Sequence, residues 1–276
     1  MTQIIDPKQY TKTVDALRLF FSARGFLEVH TQNRLSILAA CEDPTNVTTY
    51  NYANQVWPLP QTGQMWLEYE LLKDPKQQGF YCVSTSYRQE PNPVPGRHDL
   101  IFPMFEFEFP GNIAYLEAME NELCEFMGFG KVTGKEYSEW CWNYQTDVLD
   151  DTHEMKMHDD FGASLIRNFP NHTSPFWNMA RNDDNYTSKK IDVILGGMET
   201  IGSAERSTDV DQMRDTFHTI SEGKYASLLY DLFGKDRVEK ELNEFLEHDF
   251  IERVGGGIGV TRMISALNKC EIVLGA

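Results

Sequence analysis

Two segments of strict two-residue alternation, separated by a short proline-studded loop, constrain this chain more than any other feature. Over residues 81–90, Cys82, Ser84, Ser86, Arg88 and Glu90 share one face of an extended backbone. Over residues 101–109, Phe105, Phe107 and Phe109 share one face, and Phe102, Met104, Glu106 and Glu108 share the other. The intervening PNPVPGRHD is stiffened by Pro91, Pro93 and Pro95 and carries Arg97 and His98. The pattern predicts an antiparallel hairpin with an apolar side for a core and a polar side left over. The identities on the polar side point to a ligand. Arg88 offers a planar guanidinium fork next to Glu90, while Arg97 and His98 add donors suited to phosphate. Phe102 offers a ring face on which a base can stack.

Periodicity elsewhere places helices and further strands around this hairpin. Residues 8–25 predict a helix with Val14, Leu17, Phe20 and Phe21 as its apolar stripe and Gly25 as its stop. Residues 26–35 read as a strand, 41–56 as a polar stretch with a loop at CEDPTN, and 62–73, 115–127 and 149–161 as helices. Residues 131–171 are otherwise mixed. Strands follow at 190–195 and 198–204, then helices within 210–233 and 236–248. A short β-like piece at 250–254 leads into glycines and a final helix. No internal repeat or low-complexity linker interrupts this order.

At 276 residues the chain is long enough for one large domain. The formal net charge is −17, a poor start for holding the phosphates of an extended RNA, and DNA is not an expected partner. No apolar run approaches the ~20 residues that span a bilayer, and the N-terminus lacks the layout of a secretory signal. The five cysteines form no CxxC pair, which predicts reduced thiols and a cytoplasmic protein. In HEMKMH the histidines His153 and His158 stand five apart, so they do not share the helix face that a zinc-protease pair needs.

The hairpin residues YRQE…GRHDLIFPMFEFE resemble motif 2 of the class II aminoacyl-tRNA synthetases. That resemblance implies Arg88 on the α-phosphate and acyl group, Glu90 on the adenine edge, Arg97 or His98 on the γ-phosphate and Phe102 stacked on adenine. VGGGIGVTRMISAL near the C-terminus resembles motif 3, a glycine-rich strand entering a helix that opens with an arginine. It implies Gly257 against the nucleotide, where the lack of a side chain permits close approach, and Arg262 on the γ-phosphate. Motif 1, the dimer-forming helix and strand, is resembled by RGFLEVHT, with Gln32 where the family has proline.

KIDVILGGMETIGSAERSTD resembles the aspartyl/asparaginyl branch of that family, in which an Asp, a Gly-x-Glu and an Arg follow one another at seven-residue steps. Here these are Asp192, Glu199 and Arg206. The resemblance implies Mg²⁺ on Asp192 and Glu199, as suits a hard cation bridging ATP phosphates, and Arg206 with Ser203 on the substrate side chain. Thr62-Gly63-Gln64 resembles the Ser-x-Gln start of the branch's substrate helix. Glu42 is the candidate acid for the α-amino group, and Glu106 and Glu108 on the hairpin's polar side are further candidate substrate contacts. Aspartate-activating relatives carry a lysine three residues after that Gln; this chain has Leu67, as asparagine-type relatives also lack the lysine.

The resemblance thus implies an α+β fold, an antiparallel sheet flanked by helices, with residues 1–276 as a single catalytic domain and no anticodon-binding barrel. It implies a homodimeric, AMP-forming ligase that uses ATP and Mg²⁺ to activate a small amino acid. The acidic charge and the missing barrel favour an aspartate-like substrate amidated with ammonia, as in asparagine-synthetase-related proteins. The alternatives are transfer to tRNA by a truncated synthetase, and a non-catalytic paralogue that binds ATP or an amino acid.

Overall fold

The structure, a computed structural model, describes residues 5–32, 35–39, 44–90, 92–94, 96–97, 99–173 and 176–275. It opens with helix α1 (Pro7–Ser22), started by Asp6, whose carboxylate accepts from the Lys8 and Gln9 amides. The strands are β1 (Leu27–Glu28), β2 (Thr49–Tyr52), β3 (Gln55–Pro58), β4 (Phe80–Tyr87), β5 (Ile101–Pro110), β6 (Thr133–Glu136), β7 (Ser164–Pro170), β8 (Thr187–Leu195), β9 (Met198–Arg206) and β10 (Arg253–Gly259). The remaining helices are α2 (Gln64–Lys73), α3 (Ile113–Phe126), α4 (Tyr137–Tyr144), α5 (Asp151–Phe161), α6 (Val210–Thr219), α7 (Lys224–Phe233), α8 (Lys235–Leu246) and α9 (Val260–Lys269).

Eight strands form one sheet in the order β1-β4-β5-β10-β9-β8-β7-β6. Every pairing is antiparallel except the two at the ends, β1 with β4 and β6 with β7. The expected hairpin is its β4–β5 pair: Cys82 faces Glu106, Ser84 faces Met104 and Ser86 faces Phe102. The register carries the alternation across the sheet. Glu106 and Glu108 face Gly257 and Gly255, which in turn face Gly202 and Ala204, and Gly202 faces Asp192. Polar residues and glycines therefore line one side over five strands.

The other side is apolar. Phe105, Phe107 and Phe109, with Val254, Ile258, Ile201, Ile191 and Val193, pack under α1, α3 and α9. Phe21 of α1 sits 5.1 Å from the Phe105 ring and 5.0 Å from the Phe107 ring. Each such aromatic ring contributes about 1.5–3 kcal/mol through burial.

On the polar side α2 covers one end, where Leu67 and Leu71 pack on Phe80 and Cys82. Helices α6, α7 and α8 form a further apolar cluster around Phe217, Phe245 and Trp177. At the far end α5 lies over β7 and β8, with Met157 against Ile166 and Ile194. Between α2 and α5 the polar face stays open.

Two expectations differ from this architecture. The strand expected over residues 26–35 reduces to Leu27–Glu28, the only part that pairs with β4 among the described residues. The polar stretch 41–56 holds strands β2 and β3, a two-stranded hairpin apart from the main sheet. The glycine-rich strand expected after Val254 is part of β10, and at Gly255 the facing carboxylate requires glycine: a methyl group there would overlap Glu108 Oε2.

Candidate active site

The open part of the polar face is a cleft with about 510 Å³ of unfilled space, lined by Arg88, Glu90, Arg97, Phe102 and Arg262 among others. Arg88 follows β4 directly and is fixed by its amide, which donates to the Leu100 carbonyl at 2.8 Å. Its guanidinium lies 5.5 Å from the Phe102 ring centroid, and its Nε is buried without a hydrogen-bond partner. Ser86 Oγ, one pleat back on the same face, is also buried and unpartnered. Such orphaned donors beside an open cleft mark where a ligand's acceptors would sit.

Beside Arg262 stands Glu199 of β9, and Asp192 of β8 converges on it. Asp192 Oδ2 accepts from Lys190 Nζ at 2.7 Å, while Oδ1 is buried with no partner. A methyl group at Gly202 would lie 2.8 Å from Glu199 Oε1 and 3.6 Å from Asp192 Oδ1, so the absence of a side chain there lets the two carboxylates converge. Burial pushes the Asp192 carboxyl up, against the pull of Lys190. Lys190 is held charged by Asp192, Glu199 and Glu154, which outweigh its own burial. Among the described residues no group of three or more side chains is set to hold a metal. A pair of converging hard oxygen donors fits Mg²⁺, which characteristically takes one or two carboxylates and completes its shell with phosphates and water.

Arg262, at the start of α9, donates from Nη1 to the Glu199 carbonyl at 2.7 Å and from Nη2 to the Arg97 carbonyl at 3.4 Å. Arg97 Nη2 bonds Glu154 Oε2 at 2.6 Å, and the same oxygen accepts from the Glu199 amide at 3.0 Å. Glu154 belongs to α5 and was not among the residues expected in the site. The only sequence signal was its place inside HEMKMH, where a metal pair had been the issue rather than the glutamate.

Beneath α2 the candidate substrate residues form a dense polar core. Glu106 is fully buried and accepts from the Gly63 amide at 2.9 Å, from Ser84 Oγ at 2.5 Å and from Thr62 Oγ1. Burial raises its carboxyl, and these donors offset the rise. Its role is thus to anchor the start of α2, since its oxygens are already taken. Gln64 Nε2 donates to the Phe107 carbonyl at 3.1 Å and to Glu108.

Glu108 faces Arg206 at 3.3 Å, and Arg206 also lies 3.7 Å from Glu68. Glu68 is bonded by Arg253 Nη2 at 2.8 Å and by Asn178 Nδ2 at 2.9 Å. All four charged groups are at least 96% buried. Two carboxylates and two guanidiniums make the cluster formally neutral, which is what permits its burial. Burial nonetheless pushes Glu108 up to about 7, with Arg206 pulling it down.

Arg88, Glu90, Arg97, Phe102, Asp192, Glu199, Gly257 and Arg262 therefore come together around the cleft or its floor, and Thr62, Gln64, Glu106, Glu108 and Arg206 lie in the polar core next to it. Ser203 does not join them. It pairs with Ile191 and Gly256 on the apolar side, where its Oγ donates to the Ile191 carbonyl at 3.3 Å. Two-residue alternation puts Gly202 and Ala204 toward the site and Ser203 away from it. Glu42 and His98 lie outside the described residues.

This arrangement agrees with comparisons to known proteins. The family model for tRNA synthetases class II (D, K and N) matches residues 6–273. No curated protein matches the chain in sequence. Among solved structures, the chain is similar to asparaginyl-tRNA synthetase from Pyrococcus horikoshii complexed with asparaginyl-adenylate, at 17% identity and a TM-score of 0.79, covering 96% of this chain and 65% of that one. The Entamoeba histolytica asparaginyl-tRNA synthetase in complex with asparaginyl-adenylate is similar at 16% identity and TM-score 0.72, over 94% of this chain and 63% of that one. A putative aspartyl-tRNA synthetase from Leishmania major Friedlin matches at 15% identity and TM-score 0.73, over 94% and 61%. The chain thus spans just under two thirds of the length of these structures. The match over nearly the whole chain shows that it belongs to the class II tRNA synthetases (D, K and N), a family of ligases that form aminoacyl-adenylates with ATP.

Proposed function

We propose that this chain activates an amino acid with an aspartate-like side chain by forming its adenylate from ATP, and that ammonia accepts the activated acyl group. The observation that carries the activation is the convergence of Arg88, Phe102, Arg97 and Arg262 around one cleft, with Glu199 beside Arg262 and Asp192 converging on Glu199. A substrate carboxylate attacks the α-phosphorus, the bond to the bridging oxygen breaks, and pyrophosphate leaves. Side chains do no covalent work in this step; they position and neutralise. Arg88 draws charge off the α-phosphate, Phe102 holds the base, and Arg97 and Arg262 bind the leaving pyrophosphate. Asp192 and Glu199 would hold Mg²⁺, which supplies charge neutralisation on the phosphates when bound.

Arg206 is the group aimed at the substrate side chain. It stands on the same face as Asp192, in contact with Glu108 at 3.3 Å. Ammonia as acceptor is supported by the net charge of −17, which works against docking a polyanion. A homodimer through the region of α1 and β1 belongs to the same reading: Leu19 and Leu27 there expose 59% and 48% of their surface.

The test is ATP–pyrophosphate exchange across a panel of amino acids, followed by acceptor trials. Exchange with aspartate, and formation of an aspartate amide from aspartate, ATP and ammonium, are the expected results; isoasparagine marks attack by the α-carboxylate with the side chain on Arg206, and asparagine marks attack by the side-chain carboxylate. Exchange followed by transfer to tRNA with no amide formed would replace ammonia by RNA. Absence of exchange with every amino acid would leave a binding protein instead.

A further inference from the structure

The phosphate end of the cleft is closed by a ring of hydrogen bonds, one member of which belongs to neither the hairpin nor the glycine-rich strand. Glu154 Oε2 accepts from Arg97 Nη2 at 2.6 Å and from the Glu199 amide at 3.0 Å. Arg262 closes the ring by donating to the carbonyls of those same two residues, at 2.7 Å for Glu199 and 3.4 Å for Arg97. Two side chains from two helices thereby tie the loop after β4 to the start of β9. Both ends of the Arg97–Glu154 pair are largely sheltered, with 18% and 16% of their side chains exposed, so the bond is screened little by water.

A guanidinium bonded to a carboxylate is not free to make a full bidentate grip on phosphate. A glutamate at this place works against nucleotide binding unless it acts before the nucleotide arrives. We infer that Glu154 is a positioning residue, a latch that holds Arg97 and its loop in place in the nucleotide-free protein and gives Arg97 up to the incoming phosphates. The inference rests on the ATP reading above. It explains why one carboxylate oxygen serves both donors: when Arg97 leaves, the Glu199 amide keeps its acceptor, and the start of β9 keeps its place while the loop is released.

The test uses Glu154→Gln, which retains an acceptor for the Glu199 amide and removes the charge that holds Arg97. Without nucleotide, hydrogen exchange at the loop amides is expected to quicken about tenfold, read at Arg97, whose amide donates to Val94 at 3.1 Å. ATP affinity, measured by calorimetry, is expected to rise about three- to tenfold, because Arg97 no longer has to leave a charged partner. In an Arg97→Ala background the same substitution should change ATP affinity less than about twofold. Unchanged loop exchange and unchanged affinity in Glu154→Gln would overturn the latch, as would a gain that persists without Arg97. If the parent protein binds no ATP, loop exchange alone decides: faster exchange upholds the latch while the ATP reading falls. Should Glu154→Gln not fold, Glu154→Asp replaces it, since the shorter carboxylate cannot reach both donors and the same loop acceleration is expected.

Discussion

The two faces of the central sheet are made by the same strands and differ only in which residues of the alternation they use. On one face Phe105, Phe107 and Phe109 vanish under α1, α3 and α9. On the other, Glu106 and Glu108 of the same strand are just as buried, among hydrogen bonds and ion pairs. The apolar face is held by a non-directional force proportional to area, so many sequences could fill it. The polar face is held by directional contacts, each of which fails if one partner is removed. Equal burial therefore conceals unequal tolerance.

The sharpest way to probe that difference is to damage each face once. Phe107→Ala is expected to cost about 3–5 kcal/mol by cavity formation. Glu68→Gln leaves Arg253 and Arg206 short of a charge inside the protein and is expected to cost about as much, ~3–5 kcal/mol. Urea unfolding measures both. A Glu68→Gln variant as stable as the parent would show that the polar core is not a structural unit.

A smaller effect tests why β10 is made of glycine. Gly255→Ala places a methyl group against Glu108 Oε2 and 2.6 Å from Gln64 Nε2, and a loss of about 1–3 kcal/mol is expected from the forced shift. Gly96→Ala is no equivalent control, because its φ of +79° is itself strained for alanine. Ala204→Ser, on the same face one strand over, leaves the backbone unstrained and serves better.

The smallest effect concerns a carboxylate lodged on the apolar side. Glu120 of α3 is fully buried beside Ser203, with no well-formed hydrogen bond to either oxygen among the described residues, and burial pushes it up to about 8 from an ordinary 4.5, against the pull of Ser203. A raised carboxyl is protonated in the folded protein while the unfolded chain has already ionised. The stability it allows is fully present below pH 4.5 and is lost as pH rises toward 8. Glu120→Gln should remove that slope, gaining on the order of 1–2 kcal/mol over the parent at pH 9 and little at pH 4, by thermal or urea unfolding. Parallel pH profiles for the two proteins would mean that Glu120 finds a partner in solution.

What was legible in the sequence follows the same division. The central hairpin and the long helices were readable because each has one dry face, which imposes a period on the chain. β7 was not: Ser164, Leu165 and Ile166 are buried in succession, so no alternation remains. β2 was missed for the opposite reason, since TYNY is exposed at every position, and β3, QVWP, is too short and too partly buried to show alternation. The stretch 210–233 breaks in the middle because Ser221 and Glu222 adopt positive φ, a turn with no glycine until Gly223 to announce it. Arg88 and Arg262, which line the cleft, stand out in the sequence because a family motif surrounds each. Ser203 was misjudged because its neighbours in sequence face the cleft while it faces the core. Glu154 was invisible because its partners lie 57 and 45 residues away.

The central claim is that the open stretch of the polar face forms adenylates, and that Arg88 acts there on the ligand and not on the fold. ATP–pyrophosphate exchange with aspartate, run on the parent protein and on Arg88→Ala alongside urea unfolding of both, tests it most directly. The account predicts exchange by the parent, a loss of about 10²-fold in Arg88→Ala, equivalent to ~3 kcal/mol at the transition state, and an unfolding midpoint that scarcely moves. Undiminished exchange by Arg88→Ala would contradict it.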